Sequence, residues 1–178
     1  MLSKIRSFED KVPDINDSVY IDPTAVIIGD VIIGKDSSVW PTVVIRGDVN
    51  YIRIGERTSI QDGSILHVTH SGPFSLTGAS LHIGNNVTIG HKVILHGCTI
   101  GDSCLIGMGS TILDGAIIES HVLIGAGSLI PPGKIINSGY LWLGQPIQKI
   151  RPLTEEEIFF LQYSADHYVK LKNRYLKV

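Results

Sequence analysis

An aliphatic residue returns every six positions along most of this chain, a period that belongs neither to a helix nor to a single amphipathic strand. Ile15, Ile21 and Ile27 begin the register, and Ile33, Val39 and Ile45 continue it without a gap. After three extra residues come Ile54, Ile60 and Leu66, and after eleven extra come Ile83, Ile89 and Leu95. One residue is skipped before Ile100, Ile106 and Ile112; Ile118, Ile124 and Ile130 complete the set. Four residues after each anchor stands a small or β-branched side chain, among them Val31, Ser37, Val43, Val49, Thr58, Ser64 and Cys104. Glycine follows many anchors directly, as at Gly34, Gly55, Gly84 and Gly107, where it is expected to supply turn conformations that a Cβ penalises. A β-sandwich would instead show period-two alternation with turns every ~8–12 residues.

Three hexads close one coil of a triangular prism, and coils stack at the parallel-strand spacing of about 4.8 Å. The register therefore predicts an all-β parallel β-helix of about six coils over residues 1–153, with a loop insertion near 68–82. Its spacing is silent on handedness. After Pro146 the pattern changes. Thr154 and Glu157 form a capping-box pair, and Ile158, Leu161, Ala165, Tyr168, Leu171 and Tyr175 follow at steps of three and four. This predicts a helix over about 154–175, within a C-terminal segment 154–178, packed along the prism to cover one of its flat faces.

Composition excludes several classes of partner. A net charge of −2 offers no basic field for nucleic acid, and no apolar run approaches the ~18 residues of a membrane helix. The opening stretch MLSKIRSFEDKVPD has charges of both signs and no apolar centre, unlike a signal peptide. Two cysteines, Cys98 and Cys104, make no disulfide framework, so the expected compartment is the cytoplasm. Cys104 falls in a small interior slot and Cys98 at a coil turn, so both read as packing rather than chemistry.

The register also converts sequence positions into spatial columns. Ile45, Leu66, Leu95 and Ile112 share the third column, so the residues following them, Arg46, His67, His96 and Leu113, stack at one corner. His67 and His96 lie one coil apart, close enough for two imidazoles to share an ion at about 2.0–2.1 Å each. His91 follows Ile89 by two in the second column, directly above Asp62 and beside Gln61. That corner points away from His67 and His96, so His91 does not easily complete such a site within one chain but could do so across the interface of a cyclic trimer. The same assembly would bring Asp62 toward Arg46 of a neighbouring chain. His82, His121 and His167 read as ordinary solvated side chains.

Several strings resemble the gamma-class carbonic anhydrase family, particularly its short bacterial and archaeal members. They are Arg46-Gly47-Asp48, Gln61-Asp62, Ser64-Ile65-Leu66-His67, and Gly90-His91-Lys92-Val93-Ile94-Leu95-His96. The likeness spans nearly the whole chain and includes Ser164-Ala165-Asp166-His167-Tyr168-Val169 in the helical tail. It implies a left-handed β-helix and a homotrimer with Zn2+, or Fe2+ or Co2+, at each interface. By the family pattern His67 and His96 come from one subunit and His91 from the next. Arg46, Asp48 and Asp62 match interface ion-pair residues, and Gln61 matches a residue beside the metal-bound solvent. Tyr168 matches a helix tyrosine that approaches the site, although its place on the apolar stripe explains it equally well.

The implied activity is metal-assisted hydration of CO2 to bicarbonate. The chain departs from the best-studied pattern in two places: Val49 replaces an acidic residue, and the loop after His67 lacks an acidic proton shuttle. His70, in that loop, is the remaining shuttle candidate. Two other readings compete with it. One is a hexapeptide acyltransferase using a single histidine as base on a CoA-type donor. The other is a non-catalytic trimeric metal-binding or scaffold protein.

Overall fold

A computed structural model describes residues 4–177 as a parallel β-solenoid closed by one C-terminal helix. Residues 1–3 and 178, which the two predicted segments include, lie outside the described residues. The three columns are reproduced residue by residue. Ile27, Ile45, Leu66, Leu95, Ile112 and Ile130 pair in succession in the third column. The second column runs Ile21, Val39, Ile60, Ile89, Ile106, Ile124. The first runs Ile15, Ile33, Ile54, Ile83, Ile100, Ile118. Nearly all of these side chains are buried, so the core is one continuous aliphatic stack.

The solenoid extends beyond six coils to about eight turns. Ile136 pairs with Ile118, Trp142 with Ile124, and Ile147 takes a hydrogen bond register above Leu129, adding a coil at the top. Ile5 pairs with Ile27 and adds a rung at the bottom. A tryptophan in an aliphatic slot hides the upper coil from the repeat pattern, and Ile5 precedes Ile15 by ten residues rather than six.

Two local expectations are overturned. Val49 does not fill an interior slot: it is 45% exposed, because the three extra residues are accommodated by an outward shift of register. Ile52 takes the interior place and pairs with Val31. The glycines that follow the anchors are also not the turn formers. The positive-φ positions lie three residues after the anchors, at Asp36, Arg57, Gly63 and Gly109 for example. Gly34 and Gly55 instead permit close stacking: a Cβ on Gly34 would lie 2.7 Å from the Gly55 carbonyl carbon, and one on Gly55 2.6 Å from the Gly84 oxygen. Hydroxyls inside the prism are satisfied by the next coil, as Ser37 donates to Gly55 O at 2.8 Å and Ser64 to Gly90 O at 3.0 Å.

The helix Glu155–Tyr175 starts at the predicted capping box, with Thr154 and Glu157 each bonded to the other's backbone N–H. It descends the second-column face. Ser164 meets Thr88 at 2.8 Å, Tyr168 lies against Trp40, and Tyr175 against Tyr20. Leu161, Ser164, Ala165 and Lys172 are its buried residues, whereas Ile158 and Tyr175 are half exposed, so the seam is rotated from the predicted stripe.

Candidate metal centre

His67 and His96 are direct partners in adjacent parallel strands, Ile65–His67 and Ile94–His96. The strands alternate, so Leu66 and Leu95 point into the core and the following histidines lean outward, with ring centroids 5.0 Å apart. His67 Nδ1 faces His96 Nε2 at 3.1 Å. Each ring's other nitrogen meets a carboxylate: His67 Nε2 lies 3.2 Å from Asp48 Oδ1, and His96 Nδ1 lies 2.5 Å from Asp114 Oδ1. A carboxylate accepts, so those outer nitrogens donate and the two inner nitrogens carry lone pairs. Two bare lone pairs at that distance repel unless a proton or a cation lies between them.

A cation fits. Two nitrogens, each about 2.05 Å from a tetrahedral ion, are about 3.3 Å apart, close to the observed separation. Carboxylate partners on the outer nitrogens are what metal-ligating imidazoles usually have. Charge balance agrees. Burial lowers the His67 pKa below its ordinary value, and the Asp48 hydrogen bond opposes this without reversing it, so the neutral ligand form is favoured. At Asp48 burial pushes upward, but hydrogen bonds from Arg46 and His67 outweigh it and hold the carboxyl below the ordinary range.

The second corner carries the rest of the predicted set. His91 Nδ1 meets Asp62 Oδ2 at 3.0 Å, and its Nε2, on a half-exposed ring, has no hydrogen-bond partner among the described residues. Gln61 is buried beside it and shares the lining of one groove with Tyr168 of the same chain. Burial and the Asp62 charge raise the Tyr168 pKa, against the Gln61 hydrogen bond, so the phenol stays protonated. These two residues line the mouth of an apolar groove of about 340 Å3, with Gly90, Met108, Phe160 and Ser164 among its walls.

Within one chain, then, His67 and His96 come together and His91 stands apart with Gln61, Asp62 and Tyr168. Among the described residues, no three His, Cys, Asp or Glu side chains converge as an ion-binding group. Arg46 pairs with Asp48 of its own chain at 2.6 Å, while Asp62 is engaged by His91. His70 is exposed at the foot of the loop closed by the Thr69–Ala79 bridge, and joins none of these hydrogen bonds. Burial pushes both cysteine thiols up to about 12, in keeping with packing roles. Asp114 and Thr69 were not anticipated. The register places Leu113 above His96 and Asp114, one residue further, above Gly97, from where its carboxylate reaches back to the His96 ring.

Comparison with known proteins gives the family of the chain. The bacterial transferase hexapeptide (six repeats) family matches residues 13–47, 80–114 and 97–132. A carbonic anhydrase of Geobacillus kaustophilus is 44% identical over 97% of this chain and 91% of its own length. Gamma carbonic anhydrase 1, mitochondrial, of Arabidopsis thaliana is 45% identical over 91% of this chain and 58% of its own. The chain belongs to the gamma-class carbonic anhydrase family. Protein YrdA of Escherichia coli is 56% identical to this family member over 99% of the chain and 96% of its own length. A solved Bacillus cereus structure described as a putative acetyltransferase superposes with a TM-score of 0.90 at 42% identity, covering 96% of this chain and 95% of that one. No described helix is long and apolar enough to cross a membrane.

Proposed function

We propose that this protein is a metal-dependent carbonic anhydrase that interconverts CO2 and bicarbonate at the interfaces of a cyclic homotrimer. The observation that carries the proposal is the pair of inward-facing nitrogens on His67 and His96, 3.1 Å apart, with both outer nitrogens on carboxylates. His91 of an adjacent chain supplies the third imidazole, its free Nε2 turned outward by the Asp62 contact. Three neutral nitrogens suit Zn2+, and Fe2+ or Co2+ by the same donor chemistry. A bound ion would supply the Lewis acidity that makes water nucleophilic near neutral pH.

The chain's own residues do the remainder. Tyr168 stays protonated and can donate toward a developing bicarbonate oxygen, while Gln61 offers its amide to the same space. The apolar wall of the groove suits CO2 and excludes competing water. Arg46, Asp48 and Asp62 organise the interface, with Asp62 shared between His91 and Arg46 of the neighbour. His70, on the exposed loop, carries the released proton to solvent.

The likeness to the putative acetyltransferase structure favours a second reading, acyl transfer with one histidine as base. Metal content and CO2 hydration measured on the same aerobic and anaerobic preparations separate the readings. Stoichiometric metal with hydration activity, in a trimer, is expected. A metal-free preparation that turns over acetyl-CoA, and loses this with His96→Ala, supports acyl transfer. A metal-loaded trimer without hydration supports a scaffold. A monomeric mass removes the shared site altogether.

A further inference from the structure

We infer that Asp114, braced by Thr69, is the positioning residue that makes His96 a ligand through Nε2; the inference rests on the metal-binding reading above. Asp114 comes from the coil above His96 and is held at both carboxylate oxygens. Oδ1 meets His96 Nδ1 at 2.5 Å, and Oδ2 accepts from Thr69 Oγ1 at 2.6 Å. Thr69 is itself fixed, because its backbone pairs reciprocally with Ala79 across the base of the loop. A carboxylate gripped at both ends cannot rotate away, so it fixes the tautomer and the orientation of the imidazole together.

Gly97 provides an independent sign that the chain is shaped around this contact. It has φ +53, and a Cβ there would lie 2.7 Å from Asp114 Oδ1 and 2.6 Å from the Ala79 Cβ. Gly109 also has positive φ, but a Cβ on it would meet nothing within 4 Å. Gly97 therefore answers a steric demand as well as a conformational one, set jointly by Ala79 and the Asp114 carboxylate. Asp114 acts through His96 and is not assigned contact with substrate.

Two readouts on the intact protein test this. In chelator-stripped protein with 15N-labelled histidine, ring-nitrogen NMR should show His96 as the Nδ1–H tautomer, assigned by its loss in His96→Gln. Asp114→Ala should release it to a mixture of tautomers. In chelator competition with Zn2+, Asp114→Ala should bind about 10- to 100-fold more weakly than wild type. Thr69→Val, which leaves the His96 contact but frees the carboxylate, should lose less, and Asp114→Asn, which keeps one acceptor, should fall between. Unchanged zinc affinity in Asp114→Ala with His96 still the Nδ1–H tautomer overturns the inference. So does a lowered melting temperature with an unchanged tautomer, which would make Asp114 a staple for the loop. If Asp114→Ala fails to fold, Asp114→Asn and Thr69→Val carry the same comparison. Wild-type protein that binds no Zn2+ defeats the metal reading instead, and the tautomer measurement still decides whether Asp114 sets His96.

Discussion

Lys172 lies one helical turn beyond Tyr168 with its side chain only 1% exposed, and its ammonium donates to Ser18 O at 2.6 Å and Asp36 Oδ1 at 2.8 Å. Replacing it by methionine keeps the buried stem and removes both hydrogen bonds. Bonds to charged groups contribute about 1.5–3 kcal/mol each. Two things reduce the net loss. Asp36 is 26% exposed and can be rehydrated, and the desolvation cost of a buried ammonium disappears with the ammonium. The expected net destabilisation is about 1–2 kcal/mol, read as a lower urea midpoint at equal protomer concentration. Locally that means about 5- to 30-fold faster amide exchange in the last two helical turns, Tyr168 included. Paired with Asp36→Asn, the two losses should add to less than their sum. The Lys172 hydrogen bond, partly offset by burial, also holds the Asp36 carboxyl below its ordinary 3.8. Its stabilisation is thus present above that value and lost as pH falls through the lowered one, so Lys172→Met should flatten the acid limb of the stability curve. An equally stable variant with unchanged exchange at residues 168–175 would refute the reasoning.

Three other outcomes are expected. The Arg151 hydrogen bond and the Thr154 N–H hold Glu157 down to about 2, so its contribution to the helix cap is present above the ordinary 4.5 and lost only as pH falls through about 2; a carboxyl 13C titration with a midpoint near 4.5 would contradict this. Gly55→Ala, which drives a Cβ into the Gly84 carbonyl, should cost about 2–3 kcal/mol in chemical denaturation. Gly109→Ala, with positive φ but open space, should cost about 1–2, and the reverse order would mean that stacking is not the constraint. Tyr168→Phe keeps the ring against Trp40 and should melt within a few degrees of wild type, while losing about 5- to 30-fold in kcat/KM for CO2 hydration; unchanged kcat/KM would leave the tyrosine with packing alone.

The hexad alone determined the columns, and with them the neighbourhood of His67 and His96, because a stacked repeat converts a fixed period into a fixed vertical register. The helix start was equally local, since a capping box involves only Thr154, Glu157 and the backbone between them. Whatever depended on an irregularity was decided in three dimensions. The three extra residues near Val49 could be accommodated inside or outside the prism, and the folded strands put Ile52 in the interior place and leave Val49 outside. Trp142 fills an aliphatic slot in the top coil, which is closed by the antiparallel strand Gln148–Pro152 rather than by another repeat. The direction of the helix down the second face brings Tyr168 to Gln61, more than a hundred residues away in sequence. Asp114 meets His96 through one oxygen and Thr69 through the other, beside a glycine with no room for a Cβ, an arrangement of side chains that no period encodes.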